Sequence, residues 1–266
     1  MSELVTLDNG IYSMIIDPNN GARITAFCIN GKNCLTTSGP QIGSTFWPSP
    51  QHFWDWPPPA VLDSQAYTAS PLTDAWVFTS DACPITGLII AKAIRPCTGG
   101  FDVTYKMHNA TDAAVQFAHW EITRIDGGLT FYRAAQSPLN NSTLPVVALG
   151  NSYWHDYQPA GFDRNLKLFA NSSEGWLANA CCGLLLKKTF PSVAVEDVAP
   201  KEAEVEIYAH GDADNAYIEI EQQGAFVLLA AGESTDWTVR WQLAELPNGV
   251  VIEVGSRDLL ALAENL

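Results

Sequence analysis

FDVTYKM, at residues 101–107, alternates apolar and polar side chains along its whole length. An alternation with a period of two is typical of a β-strand that buries one face. It recurs in VEIY at 205–208 and WTVRW at 237–241, and turn residues such as Asn30-Gly31 separate the runs. Only residues 257–265 have the leucine and alanine spacing of a helix. We therefore predict an all-β fold of two antiparallel sheets packed face to face, with a short C-terminal helix.

The same pattern predicts where the strands lie. They are expected at residues 4–6, 12–16, 23–29, 75–80, 88–94, 101–108, 114–125, 128–134, 183–189, 204–209, 216–222, 225–229 and 235–244. Residues 136–164 contain three prolines and are predicted to be a long irregular stretch.

Chain length and composition favour one domain over residues 1–266. Hydrophobic residues make up 47% of the chain and charged residues 16%, which is enough apolar material for one large core. β-Sandwiches of about 200 to 250 residues are common as single units.

The charge balance restricts the partners. The 14 lysines and arginines against 29 aspartates and glutamates give a formal net charge of −15. Nucleic acid and anionic membranes are disfavoured, because binding to phosphates requires a basic patch. No segment approaches the roughly 18 consecutive apolar residues of a membrane span.

The six cysteines are scattered and the N-terminus does not resemble a signal peptide. We expect a cytoplasmic protein with reduced thiols, either monomeric or weakly dimeric.

The segment GSTFWPSPQHFWDWPPP, at residues 43–59, places five aromatic rings between five prolines. Because each proline fixes φ and removes a backbone donor, neither a helix nor a central strand is expected here. A rigid loop with flat indole faces suits the apolar face of a sugar ring. Trp47, Trp54 and Trp56, with His52, are therefore candidate sugar-binding residues. The alternative is that these rings cap a core, since tryptophan is highly buried on average.

The predicted strand at 114–125 carries a histidine and a carboxylate two residues apart. His119 and Glu121 share one strand face, whereas Trp120 and Arg124 lie on the other. Burying an imidazole and a carboxylate is costly unless they are paired or used in chemistry. His119 is either a catalytic group or a core histidine, and Glu121 either binds substrate or pairs with a lysine.

A second pair of polar side chains lies in AYIEIEQQG at residues 216–224. Glu219 and Glu221 share one strand face, and Ile218 and Ile220 the other. Two like charges side by side on a buried face raise the pKa of one carboxyl, which is how a general base near neutrality is made. On a solvated face they would be ordinary surface glutamates.

Motifs for nucleotides, metals and activated serines are absent from the sequence. It contains no GxxxxGK[ST], no GxGxxG after a strand, no HExxH and no GxSxG. No spacing requires a metal or another cofactor. Asp212 and Asp214 could hold calcium, but a solvated turn is the favoured interpretation.

Several segments resemble the galactose mutarotase (aldose 1-epimerase) superfamily. Near the C-terminus, Glu221-Gln222 precedes LAAGE at 229–233, which is similar to the superfamily's L-x-P-G-E turn with alanine in place of proline. NGARI at 20–24 and NGKNCL at 30–35 resemble its N-terminal strand pair and hairpin. The strand at 114–125 resembles the one that leads to the catalytic histidine, although His119 is followed by WEI rather than by x-Y-F-N. WPSPQ and WDWPPP, with EIEQQG, resemble a mutarotase-like branch of unknown function.

The resemblance implies a β-supersandwich with a carbohydrate cleft on the concave face of a sheet. It also implies aldose 1-epimerase chemistry, in which a glutamate takes the proton of the anomeric hydroxyl and a histidine protonates the ring oxygen. Applied to this sequence, the resemblance implies that Glu221 is the base, that Glu219 is the substitute candidate for the base, and that His119 is the acid. The residues expected to bind the sugar or oligosaccharide are Arg23, Trp47, His52, Trp54, Trp56, Glu121, Arg124 and His155.

Two other functions stay open at this point. One is a carbohydrate-binding protein without turnover, because a fold does not fix its chemistry. The other is a polysaccharide lyase or hydrolase that uses Tyr153 and His155, which lie close together in SYWHDY at 152–157.

Overall fold

Two antiparallel β-sheets pack face to face in the computed structural model, which describes residues 3–39, 41–158 and 164–266. This architecture confirms the all-β prediction. The first sheet contains, in spatial order, β1 (Val5–Asp8), β2 (Tyr12–Asp17), β3 (Arg23–Ile29), β5 (Ser44–Ser49), β10 (Val115–Ile125), β18 (Ile218–Gln223), β17 (Val205–Ala209) and β14 (Leu166–Ala170). β4 (Lys32–Asn33) pairs with β3, and β19 (Val227–Leu229) pairs with β10.

The second sheet has a similar extent. Its spatial order is β12 (Val147–Leu149), β13 (Ser152–Tyr157), β11 (Gly128–Arg133), β15 (Trp176–Cys181), β16 (Leu184–Thr189), β20 (Ser234–Glu245), β9 (Gly100–Asn109), β8 (Leu88–Cys97), β7 (Trp76–Thr79) and β6 (Thr68–Pro71).

The main hydrophobic core lies between the sheets. In β9 the four apolar residues of FDVTYKM are buried and its three polar residues are half-buried or exposed, as the alternation predicts. β10 is different, because every residue from Phe117 to Ile125 is buried. The second sheet covers one face of this strand, and Trp47 and Trp54 pack against Trp120 and Ile122 on the other face.

The C-terminal helix α2 (Arg257–Asn265) has the predicted bounds and covers part of the second sheet. Its Ser256 N-cap accepts a hydrogen bond from the Leu259 N–H. Leu259 and Ala263 are fully buried against Phe131 and Trp154. Burying one leucine side chain is worth about 1.5 to 3 kcal/mol, so this contact fixes the helix to the sheet. None of the described helices is long and apolar enough to cross a membrane.

The prediction that residues 43–59 contain no central strand is wrong, because β5 lies in the middle of the first sheet. β5 pairs with β10 from Ser44 to Ser49, but its register with β3 is limited to Ile24 and Ser44. On the side of β5 that faces β3, most residues therefore form no ladder hydrogen bonds with the described strands. A proline at position 48, which lacks an N–H, is tolerated there because no ladder hydrogen bond is lost. After β5 the segment is irregular, with one 3₁₀ turn at Gln51–Phe53 and the one-turn helix α1 (Ala60–Asp63).

Residues 136–164 are also less irregular than predicted, since β12 and β13 lie within them. β13 has an almost continuous run of large buried residues: Tyr153 belongs to the core between the sheets, and Trp154 packs under α2. A strand that is covered on both faces shows no alternation, which explains the error. β14 and β15 were missed as well, and β15 is likewise buried on both faces.

Candidate functional site

A row of charged and polar side chains crosses the outer face of the first sheet, meaning the face turned away from the second sheet. Arg124 in β10 is paired with Glu219 in β18, Glu219 with Tyr208 in β17, and Tyr208 with Lys167 in β14. Directly opposed residues of antiparallel strands share a face, with Cβ atoms about 4.5 to 5.5 Å apart. The register therefore aligns these four side chains across four strands.

A second row lies beside the first. Glu221 is paired with Ile122 on one side and with Glu206 on the other. The outer face thus carries three glutamates, and the prediction that Glu219 and Glu221 share a face is confirmed.

A cavity of about 560 Å³ lies over the first row. This volume is in the range of roughly 300 to 1,000 Å³ that is typical of small-molecule sites. Its aromatic walls are Trp47, Trp56, Trp120, Tyr208 and Tyr217. Its polar walls are Gln41, Gln51, Asn165, Lys167, His210 and Glu219.

Glu219 is the glutamate in the cavity wall, and Arg124 holds it in place. Nε of Arg124 donates to Oε1 of Glu219 at 2.8 Å, and Nη1 of Arg124 donates to Thr45 Oγ1 at 3.2 Å. The guanidinium also lies 5.5 Å from the ring centroid of Trp47. Among the described residues no side chain or backbone N–H donates to Oε2 of Glu219. This oxygen can therefore accept a hydrogen bond, or a proton, from a ligand.

Glu221 lies one layer deeper and is fully buried. Its Oε2 accepts hydrogen bonds from Trp120 Nε1 at 2.8 Å and from Lys167 Nζ at 3.2 Å, and both donors belong to cavity-lining residues. Burial raises the pKa of Glu221 to about 7, although Lys167 favours the ionised form.

Glu206 anchors Lys167 from the neighbouring strand. Nζ of Lys167 lies 2.6 Å from Oε2 of Glu206, while Oε1 accepts from the Ala203 N–H and the Gln223 amide. Burial raises the pKa of Glu206 well above its usual range, but these three donors stabilise its anion. Oε1 of Glu221 has no hydrogen-bond partner among the described residues. In the described part of the chain, Oε2 of Glu206 likewise has no hydrogen-bond donor apart from its ion pair with Lys167, so burial favours a proton shared by the two carboxyls.

The tryptophans of the aromatic segment have different roles. Trp56 is 60% exposed and lines the cavity beside Trp47, with 5.9 Å between the ring centroids. Nε1 of Trp47 donates to Asp63 in α1 at 2.8 Å, and Arg23 pairs with the same carboxylate at 3.2 Å. Trp54 is buried beneath and donates to the Pro48 carbonyl at 2.7 Å.

Six of the eight residues expected to bind sugar do not line the cavity: Arg23, His52, Trp54, Glu121, Arg124 and His155. Trp54 supports Trp47 from behind, with 5.9 Å between the ring centroids. Arg23 is buried against Asp63, and burial lowers its pKa to about 10 in spite of that pairing. His52 is exposed and packs against Phe53, 4.8 Å between ring centroids. Trp47 and Trp56 are walls, as predicted.

The structure separates His119 from the two glutamates. His119 lies on the opposite face of β10, where its ring centroid is 5.8 Å from that of Trp237 in the second sheet. It borders another cavity, of about 240 Å³, together with Asp197 and Asp236. Burial lowers the pKa of His119 to about 3, so its imidazole is neutral at physiological pH. The expectation that His119 and Glu221 flank one substrate is therefore not met.

Glu121 also faces the second sheet, as its strand position predicts. Its carboxylate accepts hydrogen bonds from Lys188 Nζ at 2.6 Å, from Trp241 Nε1 at 3.0 Å and from the Tyr105 hydroxyl. Burial lowers the pKa of Lys188 to about 8, with Glu121 opposing that shift. Glu121 therefore pairs with a lysine, which was one of the two predicted alternatives, and it does not line the 560 Å³ cavity.

Tyr153 and His155 lie in β13 of the second sheet, away from the cavity. The Tyr153 ring stacks on Tyr132 at 5.6 Å, and Nδ1 of His155 is 2.8 Å from the Pro145 carbonyl oxygen. Burial lowers the pKa of His155. The Tyr/His pair suggested for a lyase or hydrolase thus has no access to a ligand in the 560 Å³ cavity.

Sequence reasoning missed the histidine that does line the cavity. Nδ1 of His210 lies 3.3 Å from the Tyr208 hydroxyl, and the His210 ring stacks on Tyr217 with 4.8 Å between centroids. Burial raises the pKa of Tyr208 to about 12. The sequence does contain a pattern that could have identified His210. Glu206, Tyr208 and His210 are spaced by two residues, which places them on one face of an extended strand.

The described residues contain no group of three or more potential metal ligands. The carboxylate of Asp212 is exposed and accepts hydrogen bonds from the Asp214 N–H and the Asn215 amide. It closes a turn, which was the favoured interpretation of this pair.

Comparisons with known proteins identify the fold. No family model and no curated protein matches the chain. A galactose mutarotase-like protein from Lactobacillus casei aligns with a TM-score of 0.65 at 14% identity, covering 91% of this chain and 100% of that one. A galactose mutarotase related enzyme from Lactobacillus acidophilus aligns with a TM-score of 0.66 at 9% identity, covering 92% and 99%.

A TPR-domain containing protein from Parabacteroides distasonis also aligns, with a TM-score of 0.63 at 12% identity, covering 94% of this chain and 49% of that longer one. The chain has the galactose mutarotase-like β-sandwich fold, which confirms the resemblance at the level of the fold. At sequence identities of 9 to 14%, the functions of individual residues cannot be transferred from these proteins to this chain.

Proposed function

We propose that the 560 Å³ cavity binds a sugar and interconverts its anomers, as an aldose 1-epimerase does. One observation carries this proposal: Glu219, fixed by Arg124 through Oε1, lines a cavity with five aromatic walls, and its Oε2 has no donor among the described residues. Aromatic faces suit the apolar face of a sugar ring, and a positioned carboxylate suits a hydroxyl that must lose its proton. The galactose mutarotase-like fold supports the same chemistry.

Glu219, the substitute candidate of the sequence analysis, is the proposed base. It takes the proton of the anomeric hydroxyl while the bond between C1 and the ring oxygen breaks. The C1–C2 bond then rotates and the ring closes on the other face of the carbonyl, with the protons returned. Glu221 does not line the cavity but accepts hydrogen bonds from Lys167 and Trp120, which do. Its proposed role is to balance the charge of Lys167 beneath the substrate.

Tyr208 and His210 are the proposed acid, in place of His119. Tyr208 is directly opposite Glu219, and its hydroxyl is hydrogen-bonded to His210. The hydroxyl can donate its proton to the ring oxygen and take it back when the ring closes, while His210, in the tautomer with a proton on Nδ1, donates a hydrogen bond to the phenolate oxygen in between. General acids and bases of this kind each contribute about 100- to 10,000-fold to a rate.

A second candidate is a sugar-binding protein without turnover. The observation that favours it is the position of His119, which the resemblance makes the acid and which lies on the other face of β10. Binding alone would use the aromatic walls and Glu219 as a hydrogen-bond acceptor.

Exchange NMR of the α and β anomers, across neutral hexoses, pentoses and uronic acids, distinguishes these functions. The wild type is expected to accelerate interconversion of at least one sugar. Glu219→Gln should lower that rate at least about 100-fold while the sugar still binds, because the amide accepts no proton. Glu221→Gln is the matched variant and should retain much more of the rate. Binding without acceleration would support the second candidate, and an unchanged rate in Glu219→Gln would exclude Glu219 as the base.

A further inference from the structure

Two adjacent cysteines occupy the turn between β15 and β16. Cys181 is paired with Leu184, so Cys182 and Gly183 form a two-residue turn. Both have positive φ, 55° and 78°. Turns of this kind favour Asn-Gly, Asp-Gly or Gly-Gly, because a side chain in the left-handed region is strained. Cys182 is exposed, so core packing does not account for a cysteine there.

The turn brings the two sulfur atoms together. Adjacent side chains in a regular strand point to opposite faces. Here the positive φ of Cys182 reverses the chain, and its Sγ lies 3.0 Å from Sγ of Cys181. No other pair of sulfur atoms is in hydrogen-bond contact among the described residues.

The two thiols differ in access. Burial raises the pKa of Cys181 to about 12, and its contact with Cys182 adds to that shift. Cys181 therefore keeps its proton, while Cys182 is the thiol that small molecules in water can reach. A reachable thiol beside a protected one is the arrangement of an attacking and a resolving cysteine.

We propose that Cys181 and Cys182 form a redox-active dithiol that low-molecular-weight disulfides convert to a vicinal disulfide. The Cys182 thiolate attacks one sulfur of the small disulfide, which forms a mixed disulfide and releases the first small thiol. Cys181 then loses its proton to water and attacks Cys182 Sγ, which releases the second small thiol. One external S–S bond is reduced, and two protein thiols are oxidised to one S–S bond.

The other cysteines are expected to react more slowly. Cys28 and Cys83 are buried. Burial raises the pKa of Cys97 to about 11 and also raises that of Cys34. Cys34 borders the same narrow space as Cys181, so it is the competitor that a test must exclude.

The test incubates the reduced full-length protein with oxidised glutathione and follows intact mass and peptide maps. The wild type should lose two hydrogen masses, with the new bond mapped to Cys181 and Cys182. Cys34→Ser is the matched control and should react like the wild type. Cys181→Ser should instead accumulate a glutathione adduct on Cys182, because the resolving thiol is gone.

Three outcomes would overturn the proposal. They are a bond between Cys34 and Cys181, a stable glutathione adduct on the wild type, and a reaction of Cys182 no faster than that of Cys97. Each variant is first checked for an unchanged melting temperature. Because the readout is mass rather than activity, the result does not depend on the sugar chemistry of the other sheet.

Discussion

Glu219 and Glu221 lie two residues apart on one strand and have different surroundings. Arg124 binds one oxygen of Glu219, a residue that lines the cavity, and the other oxygen has no donor among the described residues. Glu221 is buried under Trp120 and Lys167, and burial raises its pKa to about 7. The glutamate in the cavity wall and the buried glutamate with the raised pKa are thus separate residues.

His119 provides a prediction about pH. Its pKa is about 3 in the folded protein because of burial, whereas an unfolded histidine titrates near 6.5. The stability from this neutral ring is present above the unfolded pKa and is lost as pH falls toward 3. Between about pH 7.5 and about pH 5, the free energy of unfolding should fall by about 2 kcal/mol more in the wild type than in His119→Phe. Urea unfolding at each pH measures this, and an equal fall in both proteins would contradict a neutral buried histidine.

The sequence could identify which of these residues share a face, because a strand alternates sides regardless of context. His119 and Glu121 share a face, and so do Glu219 and Glu221, as predicted, but the two pairs lie on opposite faces of the sheet, which was not predicted. The sequence could not predict how deeply each glutamate is buried beneath the cavity. Whether Glu219 or Glu221 reaches the cavity depends on Trp120 and Lys167, whose strands are far apart in sequence.

At the scale of elements, the register of β5 against β10 decides what the cavity contains. Trp47 is opposite Trp120, and Pro48 is opposite His119. Shifting a strand by one residue exchanges its two faces. In this register Trp120 lines the cavity and His119 faces the second sheet.

The aromatic segment is anchored through Trp47, which gives a prediction at this scale. Trp47→Phe removes the 2.8 Å hydrogen bond to Asp63 in α1 and leaves a partly buried carboxylate short of one donor. It should lower the free energy of unfolding by about 1 to 3 kcal/mol. Trp56→Phe, the exposed matched variant, should change it by no more than about 0.5 kcal/mol.

Urea unfolding distinguishes the two variants, and calorimetric titration with a sugar should show weaker binding for both, because both rings line the cavity. An equal loss of stability in Trp56→Phe would mean that the segment is anchored elsewhere.

At the scale of the whole molecule, charge favours an uncharged ligand. The formal net charge is −15. Lys167, the lysine in the cavity wall, is paired with Glu206 and Glu221, and Arg124 is bound to Glu219. Both cations are held by glutamates, so among the described residues neither is left over for a phosphate.

A phosphorylated sugar should therefore bind less well than its neutral parent. We expect calorimetric titration to give glucose 6-phosphate an affinity at least about tenfold lower than glucose, a difference of about 1.4 kcal/mol. Added salt should narrow the gap by screening the acidic surface. Tighter binding of the phosphate would mean that a cation is available to it.

The two-sheet architecture followed from strand alternation and turn residues, which are local signals. Among the strands that were missed, β5 carries proline and β13 and β15 are covered on both faces, so for these three the local signal is absent or reversed. β14 does alternate between buried and half-buried residues and was missed all the same. The cavity assembles side chains from β5, β10, β14, β17 and β18, and only the pairing of distant strands brings them together.

Two histidines on opposite faces of the first sheet allow a direct test of whether the reacting groups lie on its outer face. Exchange NMR compares anomer interconversion in the wild type, His210→Gln and His119→Phe. His210→Gln should be slower by at least about tenfold, and His119→Phe should stay within about twofold of the wild type, because only His210 lines the cavity. A rate that falls with His119→Phe and survives His210→Gln would contradict the account, as would a wild type that accelerates no sugar.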